Sequence, residues 1–580
     1  MRKQLLCAAV FACLASLGLA PGALAKRAGG DHEFVVVWKN GVSVAEARDA
    51  VTDAGGTVVD ANLAARTATV TTSDPAFAEK ANADAALVGA ARDAVIGHAP
   101  KGDGPGGKPR GRDVETERGE GRGHGRGGRD VGGDPLAPLQ WDMQMIGATA
   151  QGSYAVQQGS RAVRVGILDT GVDGSHPDVA PNFNKGLSRN FTTDQPTIDG
   201  PCEHSGCVDP NDEDDDGHGT HVATTVAGAL NGIGMAGVAP KAEIVNLRVG
   251  QDSGFFFLQE SVNGLTYAGD HGIDVVNMSY FVDPWLFNCV NNAFDTPEQQ
   301  QEQIVIRTAM QNALNYARAH GVTLIAALGN ENTDLGHPTI DHFSPDIQPG
   351  FIPQPVDFDP NRPVDNGCLT MPTEGNGVIS VSALGPTKRK AYYSNWGVEQ
   401  TDVSAPGGDR REFFGTPQFN APENRILAAY PLNVAEALCE VDENGVPNGF
   451  TGCDPEDRIE RFPPLVRDCR GGTCGLYQWI QGTSMAAPHA VGVAALIVAA
   501  NGVRDRANGG LTLDPAKTEQ ILRATATDTP CPEPRLFHYP DPDLDASFDA
   551  LCEGTPQFNG FYGDGIVNAL AAARSGPGRD

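Results

Sequence analysis

From about Leu136 to Arg574 the chain repeats one pattern, a short and almost continuously apolar segment followed by an amphipathic one. The apolar segments AVRVGIL, AEIVNLRV, GIDVVNM, GVTLIAAL and GVISVSAL read as strands, and HVATTVAGAL, LQESVNGLTYAGDHG, QIVIRTAMQNALNYARAHG and the stretch after Thr483 carry helical spacing. Strands with no polar face must be covered on both sides. The pattern therefore predicts a three-layer α/β/α fold around a mostly parallel sheet joined by right-handed crossovers. In such a sheet a ligand site lies beyond the carboxyl ends of the strands.

Three polar residues stand at those ends: Asp169 after AVRVGIL, Ser279 after GIDVVNM and Asn330 after GVTLIAALG. His218 opens a helix in DDDGHGTHVA, and Ser484 opens another in QGTSMAAPHAVGVAAL, where Pro488 is expected in the first turn and so at no cost to the helix. An acid, an imidazole and a hydroxyl are the parts of acyl transfer: a weak nucleophile, a base to take its proton and a carboxylate to orient the base. Each has a plainer reading alone. Asp169 can shape a turn, His218 and His221 can cap a helix or bind a metal, and Ser484 can be an N-cap.

Together the segments ILDTGVD, GHGTHVA and GTSMAAPHAVGVAAL resemble the three signature motifs of the subtilisin-like serine proteases, the subtilases. LGN, ending at Asn330, is similar to that family's oxyanion-hole segment, and GDGIVNALAAAR to its closing helix, so the resemblance covers about residues 136 to 574. It implies an endopeptidase with Ser484 as nucleophile, His218 as general base and then acid, and Asp169 orienting His218. The Asn330 amide and the Ser484 backbone N–H would hold the oxyanion. His221 would be structural, and Ser279 with neighbouring backbone would border an extended peptide substrate. After NMS, where the family commonly has small residues, this chain has Tyr280, Phe281 and Val282, expected to narrow or reshape the cleft. Insertions near residues 283 to 303, 331 to 372 and 408 to 478 are expected to add cleft walls. The implied partners are protein or peptide substrates, and the chemistry needs no cofactor. Two other functions stay open: a scaffold that keeps the fold without turnover, and a hydrolase of small esters.

Ahead of the peptidase unit, placed at residues 135 to 575, three further segments are expected. Arg2 and Lys3, the apolar run Leu5 to Ala20 and the cleavage site Ala23-Leu24-Ala25 read as a secretory signal, residues 1 to 25. Residues 31 to 98 carry a βαββαβ pattern, a small ferredoxin-like unit, which the resemblance makes an inhibitor-I9-like propeptide that occupies the cleft. Residues 99 to 134, rich in Gly and Arg, read as a flexible linker. A net charge of −30 speaks against nucleic acid as partner. The apolar run Ala490 to Ala500 falls short of the roughly 20 residues that span a bilayer, so no membrane span is expected.

Of the 12 cysteines, Cys7 and Cys13 lie in the leader, and an even number remains for an oxidising compartment. Proximity in sequence pairs Cys202 with Cys207, Cys439 with Cys453, Cys469 with Cys474 and Cys531 with Cys552, leaving Cys289 for Cys368. The acidic run Asp209 to Asp216 superficially mimics an EF-hand start but has Ala223 where the loop needs Glu, so it reads as a solvated acidic loop. The resemblance leaves structural calcium open at unassigned sites.

Overall fold

The structure, a computed structural model, describes residues 32–92, 133–344, 361–454 and 458–577. The expected leader, and the expected linker except its last two residues, lie outside them. Asp134 is buried and accepts from Gly232 N at 2.6 Å, so it already belongs to the folded unit that follows.

The N-terminal unit has the order the sequence indicates: β1 (His32–Trp38), α1 (Val44–Asp53), β2 (Thr57–Asn62), β3 (Thr67–Thr72), α2 (Phe77–Ala83) and β4 (Leu87–Arg92). Its antiparallel sheet runs β2-β3-β1-β4. The unbroken apolar run FVVVW in β1 reflects burial on both faces. Phe34, Val36 and Trp38 pack on α1 and α2, whereas Val35 and Val37 pack against two helices of the main unit.

In the main unit the expected apolar segments form β5 (Arg164–Asp169), β7 (Glu243–Arg248), β8 (Val275–Met278), β9 (Thr323–Ala327) and β10 (Val378–Leu384). The short β6 (Arg189–Asn190) and β11 (Val403–Pro406) complete the edges. All pairings are parallel, in the order β11-β10-β9-β8-β5-β7-β6. Helices α3 (His218–Ala227) and α6 (Thr483–Asn501) share one apolar cluster with one face of the sheet. Helices α4 (Leu258–Asp270) and α5 (Pro297–Ala319) share another with the opposite face and with Val35, Val37, Ala65 and Ala91 of the N-terminal unit. This is the three-layer arrangement read from the sequence.

Three details differ from expectation. α5 begins six residues earlier than its apolar spacing suggests, because Thr296 forms a capping box with Gln299 and Pro297 takes the first position, so part of one insertion is helix. α6 is 19 residues long and apolar enough to cross a membrane, yet it is buried within the unit as its core helix. The 408–478 insertion, which periodicity did not resolve, forms an antiparallel sheet of β12 (Ile426–Tyr430), β13 (Val466–Arg470) and β14 (Thr473–Ile480) that leads directly into α6. All five expected disulfides are present.

Candidate active site

Parallel register brings the polar strand ends together. Leu168 of β5 lies beside Met278 of β8, and Met278 beside Ala326 of β9, so Asp169, Ser279 and the segment to Asn330 leave the sheet at one edge. Asp169 is fully buried, and its Oδ1 accepts from Thr170 N at 2.8 Å and from His218 Nδ1 at 2.7 Å. A carboxylate oxygen can only accept, so Nδ1 carries the proton and Nε2 of neutral His218 is left with its lone pair, as a base must be.

The start of α3 is fixed by a residue of the acidic run that the sequence reading took as solvated. Gly217, at φ 98°, precedes the helix and has no side chain to cap it. Asp214 serves instead: one oxygen accepts from Gly217 N, Asp216 N and Thr170 Oγ1, the other from Thr220 N and Thr220 Oγ1. The acidic run is therefore not a solvated loop, since Asp209 and Asp214 are both buried. The spacing Asp-x-x-Gly-His, an Asx residue just before an apolar run, is the signal that could have identified Asp214 as a cap. His221 lies on the buried side of α3, and its Nε2 meets Ile426 O at 3.2 Å. Burial, then the nearby His218, pushes its pKa down to about 3, so it is neutral and docks α3 on β12.

Ser484 is the second residue of α6. Pro488 lies in the second turn rather than the first, so it removes the N–H that would bond to Ser484 O four residues back. Ser279 Oγ donates to that carbonyl at 3.1 Å, and Ser484 Oγ in turn lies 3.4 Å from Ser279 O. Ser279 thus grips the backbone of Ser484 from the end of β8. Asn330 Oδ1 accepts from both Thr483 N and Thr483 Oγ1 at 2.9 Å. With the oxygen so occupied, the Nδ2 hydrogens are the donors that the Asn330 amide can offer elsewhere.

Tyr280 corrects an expectation. It turns inward, 5% exposed, and its ring stacks on Phe256 at 4.3 Å, so it fills the core rather than narrowing the cleft. Phe281 is partly buried against Leu286, Phe287, Leu328 and Leu335, in a small core that the Cys289–Cys368 bridge closes next to the Asn330 segment. Parts of two insertions, around Phe287 and Leu335, thus form this core.

On the other side of Asp169, Arg248 occupies the paired position on β7. It is buried and bridges Asp209 at 2.8 Å, Asp215 at 3.6 Å and Asp252. Next to this group, ligand atoms of Asp194, Glu203 and Asp209 lie within 4.8 Å of one another. Both carboxylate oxygens of Asp194 are buried with no hydrogen-bond partner. Burial, then the charge of Asp209, raises the pKa of Asp194 well above the usual carboxylate range. An all-oxygen, multiply anionic donor set of this kind suits a hard cation such as calcium.

The family model of the subtilases, peptidase S8, matches residues 160–540. Subtilisin DY from Bacillus licheniformis is 25% identical over 71% of this chain and 91% of its own length. Fervidolysin from Fervidobacterium pennivorans is 27% identical over 63% of this chain, which spans 38% of that relative. Among solved structures, the epidermin leader peptide processing serine protease from Staphylococcus aureus superposes with a TM-score of 0.59 at 20% identity, covering 94% of this chain and 98% of that one. The chain belongs to the subtilase family of serine-type endopeptidases.

Proposed function

We propose that this chain is a secreted endopeptidase made as an autoprocessed zymogen, with Asp169, His218 and Ser484 as its triad. The observation that carries the reading is the 2.7 Å pair of buried Asp169 with His218 Nδ1, at the same sheet edge where Ser279 holds Ser484. His218 Nε2 takes the Ser484 hydroxyl proton as Oγ attacks the peptide carbonyl, and Asp169 stabilises the imidazolium that forms. Asn330 Nδ2 and the Ser484 N–H meet the oxygen as it becomes negative. The imidazolium then protonates the leaving amine, and water, deprotonated by His218, releases the acyl group from Oγ.

The N-terminal unit reads as the propeptide. Its β1–β4 sheet covers α4 and α5 and adds polar contacts: Arg66 Nη2 to Asn312 Oδ1 at 2.7 Å, Gln301 Nε2 to Val88 O at 2.6 Å, and Arg92 N to Glu302 Oε1 at 3.1 Å. Self-cleavage would fall between about His98 and Asp134. The group Asp194, Glu203 and Asp209 would hold structural calcium, which supplies no chemistry to the reaction but neutralises carboxylates beside the Asp169 edge.

Ser484→Ala tests these readings together. It removes the nucleophile, a loss of about 10⁶-fold on the scale known for subtilisin, at little packing cost. Expressed in a protease-deficient secreting host, the variant should accumulate with residues 31 to 98 attached and without peptidase activity. Retained activity would overturn the triad, and N-terminal sequencing that found normal maturation would assign the cut to another protease.

A further inference from the structure

The segment from Leu328 to Thr333, which carries Asn330, lies outside every helix and strand, so its conformation must be set by what it touches. On the side of the nucleophile, Thr483 Oγ1 accepts from Gly329 N at 3.1 Å and donates to Asn330 Oδ1. On the other side one residue dominates. Asn395, 2% exposed, uses its backbone N–H and both ends of its amide on this segment. Its backbone N donates to Gly329 O at 3.0 Å. Its Oδ1 accepts from Glu331 N at 3.1 Å and from Thr333 N at 2.8 Å. Its Nδ2 donates to Leu328 O at 3.2 Å and to Glu331 Oε2 at 2.6 Å.

We propose that Asn395 is a positioning residue for the oxyanion hole: it holds the residues on both sides of Asn330 so that the Asn330 amide is aimed before substrate arrives. The proposal rests on the reading of Asn330 given above. The chemistry required of position 395 is narrow. Two backbone N–H groups need an acceptor oxygen, and a carbonyl and a carboxylate need two donated protons, and a carboxamide supplies both sets from one planar group. The fit is also close. At Gly329, φ 109°, a Cβ would come within 2.4 Å of Asn395 Nδ2, so the amide lies where any other residue at 329 would have its side chain. A second buried side chain secures the far end, where Lys390 Nζ donates to Asn332 Oδ1 at 3.0 Å and to Ser394 O at 2.6 Å. Donors fixed in advance need no reorganisation as charge develops, and a displacement of about 1 Å in such a group costs on the order of 10²-fold.

The test is a double-mutant cycle between Asn395→Ala and Asn330→Ala on the mature enzyme. It is read as kcat and KM on a peptide substrate, per active site titrated with a fluorophosphonate and well below the unfolding temperature. Asn395→Ala should lower kcat about 10- to 100-fold with KM nearly unchanged. In the Asn330→Ala background the same change should cost less than about threefold, because the group it positions is gone. Asn395→Asp has the same shape and carries the test if the alanine variant does not fold. It sets a carboxylate against Glu331 and Leu328 O, should lower kcat as well, and should regain part of it when combined with Glu331→Gln. Unchanged kcat in both Asn395 variants, or a loss equally large without Asn330, would overturn the proposal. Unchanged kcat in Asn330→Ala alone would instead remove the oxyanion-hole reading on which it rests.

Discussion

The carboxyl edge of the parallel sheet and the acidic loop beside it both bury polar groups, and they settle them in opposite ways. Asp214 sits fully buried among five donors, all from residues that hold the start of α3, and His218 is presented from that anchored helix. Asp194, some twenty residues earlier in the same loop, is buried with no hydrogen-bond partner on either oxygen, next to three carboxylates that share the single guanidinium of Arg248. A buried charge is tolerable only when paired and hydrogen-bonded. The Asp214 end of this loop, which anchors the helix start at the edge, is therefore held by the protein's own donors, whereas the Asp194 end needs protons or a cation from outside.

Outside the Asp169, His218 and Ser484 group, the largest effect expected at the edge is that of Asn330→Ala. The amide acts on charge present only in the transition state, so kcat should fall about 10²- to 10³-fold with little change in KM, checked by steady-state kinetics. Turnover equal to wild type would take Asn330 out of the role. Asp214→Asn should lower stability by about 2–3 kcal/mol in denaturant titration, since both carboxylate oxygens accept from donors and the amide Nδ2 would leave at least two of those buried donors without an acceptor. It should do so with or without calcium.

Asp194→Asn sharpens the contrast because its sign should depend on the ion. In EGTA it should be neutral or stabilising, as it removes an uncompensated buried charge. In excess calcium it should forfeit stabilisation that the wild type gains, a shift in Tm of about 5 °C. A wild-type Tm indifferent to EGTA, with no calcium in the purified protein by elemental analysis, would break the comparison on the loop side.

The smallest effect lies at the opposite end of the sheet. Burial pushes the carboxyl of Asp274 up to about 8, against the hydrogen bond it accepts from Arg164 N. Between the ordinary carboxyl value and that pH the folded state keeps a proton that the unfolded state has lost, so this group erodes stability as pH rises toward 8. Asp274→Asn keeps the acceptor and should flatten the decline of Tm between pH 6 and 8 by about 2–4 °C. An identical slope would show that the carboxyl is ionised throughout.

What the sequence revealed follows from where each signal resides. Asp169, Ser279 and Asn330 were placed because each ends an apolar strand, and parallel register then aligns strand ends without further information. Thr170 and Asn395 were missed, since their partners lie across the fold, which no spacing encodes; Asp214 was read only as part of an acidic run, although its place just before Gly217 and His218 marks a cap. Tyr280 was misplaced for a related reason: its position after a strand shows that it leaves the sheet, not toward which side. Pro488 was read as harmless because the start of α6 was set too late, and its lost N–H proves to be what frees Ser484 O for Ser279.

Covalent labelling tests the central claim most directly. The mature protein would be treated with a fluorophosphonate and its peptides mapped by mass, beside a His218→Ala variant handled identically. The account predicts a single adduct on Ser484 in the wild type, formed at least about 10³-fold more slowly in His218→Ala because the base that activates the hydroxyl is absent. An adduct on another residue, or equal labelling rates in the two proteins, would contradict the assignment of Asp169, His218 and Ser484 as one catalytic unit.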